Sequence, residues 1–356
     1  MFRKRFLSLL ALPIVLSVLA SACAPAAAPT PTAAPTLVPT LVPTLAPTQT
    51  VAPTAVPTIA PTLTAAPTSA PTVVPSPTAI VVTDALSHSV TLAAPARRIV
   101  SLAPSNTEIL FAIGAGSQLV ARDDFSTYPD AAKNVPSIGS LYPKVNAEAV
   151  VALQPDLVLA AGITNPDDVN ALIGLGLTVY ATKKDATLDD IFHDILAVGQ
   201  LTGHVAEAEK LVADLQARVQ AVTTKLNGVA QKPLVFYEID ATDPSKPWTA
   251  GPGSFIDQLI TMAGATNAGD VGSSDYFQIS LEQLVVASPD IIVLGSSTLG
   301  GQTPELVAKR AGWKNIKAVK SGAVYAFDDN LVSIPGPRVV DGLEALAKLF
   351  HPDLFQ

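Results

Sequence analysis

One cysteine, Cys23, occurs in the whole chain, so no internal disulfide can form and redox stapling of the fold is excluded. Histidine is nearly as scarce: His88, His193, His204 and His351 are scattered without the spacing of a metal centre. This weighs against a zinc or manganese site, which needs clustered imidazoles and carboxylates. No Gly-x-Ser-x-Gly elbow is present, and Gly251-Pro252-Gly253-Ser254 has the wrong spacing for one. The glycine pairs Gly114/Gly116, Gly174/Gly176 and Gly251/Gly253 lack the third glycine of a dinucleotide loop, and no P-loop lysine follows them. Nothing in the chain requires catalysis; a non-enzymatic protein with no catalytic residues, no resident metal and no cofactor of its own is expected. Basic residues are also in deficit, 22 against 30 acidic. An acidic surface argues against nucleic acid as a partner.

Charge is missing altogether between Phe6 and Thr83, and what stands there is informative. Arg3, Lys4 and Arg5 precede an apolar run from Phe6 to Ala20 and the small residues Ser21 and Ala22. This is the layout of an export signal over residues 1–22, with an apolar core too short to span a bilayer comfortably. Removing its three cations leaves 19 basic against 30 acidic side chains, a net charge of −11. The stretch Leu19-Ala20-Ser21-Ala22-Cys23 resembles the lipobox of bacterial lipoproteins, with Ala20 where leucine is usual. Acylation of Cys23 is therefore expected, placing an exported chain at the outer face of the cytoplasmic membrane by a lipid anchor alone. Residues 23–79 repeat Pro-Thr pairs among Ala, Val and Leu. Proline at that density blocks helix and sheet ladders, so the segment reads as a disordered, extended tether reaching on the order of 150 Å at about 3.1 Å per residue.

Beyond the tether, short apolar runs alternate with helical patterns. After a hairpin over Ile80–Leu92, strands are expected at Arg98–Leu102, Asp156–Ala160 and Leu177–Ala181. Helices are expected to open at Ser105/Glu108 and Thr187/Asp190, both with capping-box spacing, and at Asn165-Pro166. From His204 to Leu226 the pattern changes: Leu211, Leu215, Val219, Val222 and Leu226 share one face of a proline-free helix of about six turns. Alternation then resumes and closes with a helix from about Pro337 to Phe350. The fold class is α/β: two lobes with mainly parallel sheets flanked by helices, joined by one long rigid helix. The lobes are expected at 80–203 and 228–356, with the connecting helix at 204–227.

An internal echo supports two related lobes. The twelve residues from Glu148 to Leu159 match those from Glu282 to Val293; each places a glutamate seven residues before a Pro-Asp that leads into an apolar strand. One repeat per lobe fits a bilobal protein rather than a solenoid. Glu148 and Glu282 each follow a capping residue, Asn146 or Ser280, by two positions, where a carboxylate favours the helix dipole.

The segment Pro95–Glu108 resembles the opening of the substrate-binding proteins for cobalamin, haem and iron-siderophores. The likeness continues through Tyr128-Pro129, Val145–Val158, Trp248–Asp257 and Pro335-Gly336-Pro337-Arg338, and covers essentially the whole chain after the tether. One departure is Ser87, where that family's first hairpin usually carries glycine. The resemblance implies a monomeric lipoprotein that captures a metal-containing small molecule between its lobes and delivers it to an ABC permease dimer. A corrinoid is the leading ligand and haem or an iron-siderophore the alternative; a cell-surface adhesive or structural lipoprotein and a tethered enzyme are competing readings. Ligand-binding candidates are Ser105, Asn106, Tyr142, Trp248, Asp329 and Arg338. Trp248, on what reads as a polar loop, and Tyr142 would lie flat against a macrocycle. Arg338 would meet a carboxylate or phosphate, a pair with Asp341 being its plainer explanation. The resemblance also assigns Glu148 and Glu282 to docking on arginines of the two permease subunits.

Overall fold

The computed structural model describes residues 79–184 and 187–355. The expected leader, Cys23 and all but the last residue of the tether lie outside the described residues.

The first apolar runs pair as an antiparallel hairpin, β1 (Ile80–Thr83) with β2 (Ser89–Leu92). Its turn is held by Asp84, whose Oδ1 accepts from the backbone N–H groups of Leu86 and His88 at 2.9 and 2.7 Å. Ser87 sits at φ 66°, the left-handed region, which explains why glycine is the easier residue there. Next, β3 (Ile99–Ser101), β4 (Leu119–Arg122), β5 (Leu157–Ala160) and β6 (Val179–Ala181) form a wholly parallel sheet in the order β4-β3-β5-β6. The helices interleaved with it are α1 (Pro104–Ala112), α2 (Ala147–Ala152), α3 (Pro166–Gly174) and α4 (Leu188–Thr202). After the connecting helix α5 (Val205–Leu226) comes a second sheet. It is built from β7 (Leu234–Asp240), β8 (Trp248–Ala250), β9 (Thr266–Asn267), β10 (Tyr276–Gln278), β11 (Ile291–Leu294) and β12 (Val324–Ala326). Its order is β10-β8-β7-β11-β12 with β9 beside β7. The β9-β7, β7-β11 and β11-β12 pairs are parallel, whereas β8 and β10 form an antiparallel edge. Helices α6 (Phe255–Met262) and α7 (Leu281–Ala287) and the C-terminal helix Val339–Phe350 complete this half.

Two of the three expected helix starts form as read. Asn165 accepts from Asp167 N with Pro166 at the first turn, and Thr187 and Asp190 make a reciprocal capping box. The third does not. Pro104 already occupies the first turn of α1 and Ala103, with no capping side chain, is its N-cap, so Ser105 and Glu108 lie inside the helix.

Strand periodicity sorts the core. In β5, Leu157 and Leu159 face one cluster while Val158 and Ala160 face another, and in β11 Val293 opposes Ile292 and Leu294 in the same way. Both faces of each sheet are thereby buried, as parallel sheets require. The largest cluster is continuous across the molecule: Ile99, Leu157 and Tyr180 of the first sheet, α4, α5, the C-terminal helix, and Val235 and Tyr237 of the second sheet belong to it. Helix α5 buries Ala208, Val212, Leu215 and Val222, while the expected face residues Leu211, Val219 and Leu226 are partly buried against the same cluster. Arg218 on its outer side holds Asp341 at 2.5 Å and Glu344 at 2.7 Å, fastening it to the C-terminal helix.

The internal repeat is structural. Gln154 and Ser288, each preceding Pro-Asp, adopt φ 48° and φ 44°. The aspartates that follow do the same work: Asp156 accepts from the N–H groups of Arg97 and Arg98, and Asp290 accepts from that of Leu234, each pinning a neighbouring chain at the entrance of a central strand. Among the described residues no helix is long and apolar enough to cross a membrane.

Candidate functional site

The carboxyl ends of parallel strands lack further backbone partners and open into loops, which is where open α/β sheets bind ligands. Here the loops after β3, β5 and β6 face those around β7, β8 and β12 across a cleft. A first chamber of about 430 Å³ lies between Ser105, Ala161–Ile163 and Lys183-Lys184 on one side and Trp248, Phe255, Tyr276 and Asp329 on the other. A second, of about 730 Å³, is bounded by Asp124, Phe125, Tyr142, Asp168, Leu299 and Asn330. Pro104, Ile163 and Ile334 line both, so they form the ridge between the chambers.

Four of the five most exposed large apolar residues among the described residues are here. Ile163 is 80% exposed, Leu299 94%, Tyr142 86% and Phe125 71%, and all four border the second chamber. Water-facing apolar side chains at this density mark a surface awaiting a partner. In the first chamber Trp248 is 41% exposed.

Four of the six ligand candidates border the cleft. Ser105, Trp248 and Asp329 line the first chamber and Tyr142 the second. Trp248 is on a strand rather than a loop: β8 lies inside the sheet, paired with both β7 and the edge strand β10, and Thr249 is anchored through its hydroxyl to the Tyr237 carbonyl at 2.8 Å. The tryptophan is thus presented from a rigid element. Asp329 accepts from the Tyr237 hydroxyl at 2.8 Å, and burial beside that carboxylate pushes the Tyr237 phenol well above its ordinary pKa. Gly295 permits this pairing, since a Cβ there would stand 2.6 Å from the Tyr237 hydroxyl oxygen and 2.7 Å from Asp329.

The other two candidates stand behind the wall. Asn106 is fully buried; its Nδ2 donates to the Ala160 carbonyl at 3.0 Å, tying α1 to the end of β5, while its Oδ1 has no partner among the described residues. Arg338, at the N-cap of the C-terminal helix, does not pair with Asp341. Its guanidinium grips Glu108 through two bonds, Nε to Oε2 at 3.0 Å and Nη2 to Oε1 at 2.5 Å, and lies 3.9 Å from the centre of the Tyr128 ring. Burial holds the Glu108 carboxyl above its usual value in spite of that cation. The pair joins the two lobes beneath the cleft.

Sequence reasoning passed over Ile163, Phe125, Leu299, Tyr276 and Lys184 as cleft residues. Each is a single residue in a loop, on a short strand or, for Leu299, in the short helix Ser296–Gly300, and only the meeting of the two lobes makes it part of a site. Glu148 and Glu282 are exposed at the second positions of α2 and α7, whose N-caps are Asn146 and Ser280 as expected. Among the described residues no group of three or more His, Cys, Asp or Glu is arranged to hold a metal ion.

Comparison with known proteins accords with this architecture. Residues 99–331 match the family model described as periplasmic binding protein. A Bacillus subtilis protein named an uncharacterized ABC transporter substrate-binding lipoprotein is 32% identical over 282 residues, 78% of this chain and 87% of that one. A cobalamin-binding protein of Halobacterium salinarum is 32% identical over 274 residues, 75% of this chain and 73% of that one. Among solved structures, the periplasmic heme-binding protein of Roseiflexus sp. RS-1 in its apo form superposes with a TM-score of 0.65 at 28% identity, over 73% of this chain and 99% of that one. The chain belongs to the periplasmic binding protein family, the solute-binding components of transporters.

Proposed function

We propose that the protein is the extracytoplasmic receptor of an ABC importer and that it captures a corrinoid between its lobes for delivery to a permease. The observation that carries this reading is the two-chambered cleft. Each chamber alone has the volume of a small-molecule site, about 300–1,000 Å³, and the two adjoin across a ridge of three apolar residues. A bulky ligand with a flat centre and a hydrogen-bonding periphery suits such a space better than a compact one. Trp248 offers an aromatic face, and the carboxylates of Asp124 and Asp168 in the second chamber offer acceptors to the amide N–H groups of a corrin rim. The named binding of the Halobacterium relative points the same way.

Haem is the second reading, favoured by Tyr142, a residue 86% exposed at the second chamber whose phenol is of the type that ligates haem iron. Delivery would use Glu148 and Glu282, equivalent exposed carboxylates on the two halves of the repeat, as two anionic prongs for basic permease subunits.

The test is co-elution. The purified protein is mixed with cyanocobalamin, haemin or a ferric siderophore, passed over a sizing column, and the spectrum of the protein peak recorded. Stoichiometric corrinoid absorption with little haem supports the leading reading; stoichiometric haem alone transfers it to the second, and a peak without chromophore sinks both.

A further inference from the structure

The two chambers differ in charge. The second carries the carboxylates of Asp124 and Asp168, with Asp123 behind them. The first carries one carboxylate, Asp329, engaged by the Tyr237 hydroxyl, and two lysines, Lys183 and Lys184, in the loop after β6. Those lysines are not equivalent. Lys183 is spent on Asp190, with Nζ 3.1 and 3.0 Å from its two carboxylate oxygens. Lys184, exposed at the chamber rim, has no hydrogen bond or ion pair among the described residues.

Its position is built into the backbone. Gly162, in the loop after β5, would place a Cβ 2.3 Å from both Cα and N of Lys184 and 2.6 Å from the Lys183 carbonyl carbon. Only glycine allows the two loops to touch there. The close approach fixes where the main chain of Lys184 passes, beside the ridge residue Ile163, on the side of the cleft facing Trp248 and Tyr276. A cation with no partner among the described residues, held at the rim of an apolar, aromatic chamber, is a site for an anionic substituent on a largely apolar ligand. The carboxylates of the second chamber repel the same substituent, so the division also sets which way round the ligand enters.

We propose that Lys184 is a specificity-determining residue of the cleft: it receives a phosphate or carboxylate carried on the rim of the ligand, and with Asp124 and Asp168 opposite it fixes the ligand's orientation. This rests on the functional reading above.

The test uses ligand pairs in which one member carries the anion and the other does not, and reads how each responds to the change at Lys184. Cyanocobalamin carries a phosphodiester within the nucleotide loop that cobinamide lacks, and haemin carries two carboxylates that its dimethyl ester masks. Dissociation constants for all four are measured by fluorescence quenching with the unaltered protein, Lys184→Gln and Lys184→Glu. Melting temperatures should be unchanged, because Lys184 is a solvent-facing side chain without a partner among the described residues. For whichever framework binds, Lys184→Glu should weaken the anionic member by about five- to tenfold and Lys184→Gln by less, while the anion-free member stays within about twofold. A loss in the corrinoid pair identifies a phosphodiester and a loss in the haem pair a carboxylate. Equal loss for both members of a pair, or no loss in either, overturns the role of Lys184 while leaving the functional reading intact. Failure of the unaltered protein to bind any of the four ligands overturns that reading, and this assignment with it.

Discussion

Arg338 and Glu108, 230 residues apart, close a two-point ion pair that joins the start of the C-terminal helix to α1 beneath the cleft. The carboxylate is 3% and the guanidinium 16% exposed, and Tyr128 covers the guanidinium face. Removing one partner strands a buried charge, whereas removing both does not. Arg338→Leu should therefore destabilise the protein by about 3–5 kcal/mol, and Arg338→Leu with Glu108→Leu should recover most of that loss. Urea unfolding of the four members of the cycle measures it; additive losses would mean that the pair is not a unit.

The same strut, the continuous core running through α4, α5 and the C-terminal helix, and the clamp of Arg218 on Asp341 and Glu344 leave no soft hinge between the halves. Ligand binding should change the radius of gyration little, unlike the hinge closure of other binding proteins. Small-angle scattering with and without saturating ligand decides this, and a clear contraction would show that the strut opens.

Asp194 is buried against Tyr180, whose hydroxyl donates to its Oδ1 at 2.7 Å. Burial is the main reason that its carboxyl is pushed up to about 6; the Tyr180 bond and the charge of His193 pull the other way. With the folded value above the unfolded one, the native state holds this proton more tightly. The contribution is present below about pH 4 and is lost as pH rises to about 6, by roughly 3 kcal/mol. Denaturant titrations at half-unit intervals should show that slope, and Asp194→Asn should flatten it. An Asn variant with an unchanged slope would assign the effect to other groups.

For Glu148 and Glu282, reversal of both charges to arginine should abolish pull-down by the cognate permease in membranes while leaving ligand affinity within about twofold. Close charge pairs across an interface couple by about 1.5 kcal/mol or more, so losing two weakens docking on the order of a hundredfold. Normal docking by the double variant would reduce both residues to helix-dipole partners.

What the sequence disclosed and what it hid divide along range. Asn165 with Pro166 and Thr187 with Asp190 were legible because a capping side chain and the backbone N–H it accepts from lie within one turn. The repeat was legible because both copies solve the same local problem, a helix ending at a left-handed residue before Pro-Asp. Ser105 and Glu108 had the spacing of a cap but not its role, since Pro104 had already opened the helix and the glutamate's partner lies far along the chain. Arg338 had an acidic neighbour in Asp341, but α5 brings Arg218 to that residue and leaves Arg338 for Glu108. Trp248 was readable as a cleft residue but not as part of a strand, because its hydrogen-bond partners belong to β7 and to β10, the latter almost thirty residues further on.

The central claim, that a corrinoid is held in the cleft against Trp248, is tested most directly by calorimetric titration of cyanocobalamin into the unaltered protein and into Trp248→Ala. Trp248 is 41% exposed, and its strand neighbour Thr249 carries the anchoring bond, so its truncation should leave the melting temperature nearly unchanged. Aromatic anchors at a binding site contribute about 2 kcal/mol or more, so affinity should fall at least tenfold. Tight one-to-one binding by the unaltered protein and that loss in the variant are the expected result. Unchanged affinity in a variant that melts well below the parent would contradict it, because Trp248 would then be packing the fold rather than holding the ligand.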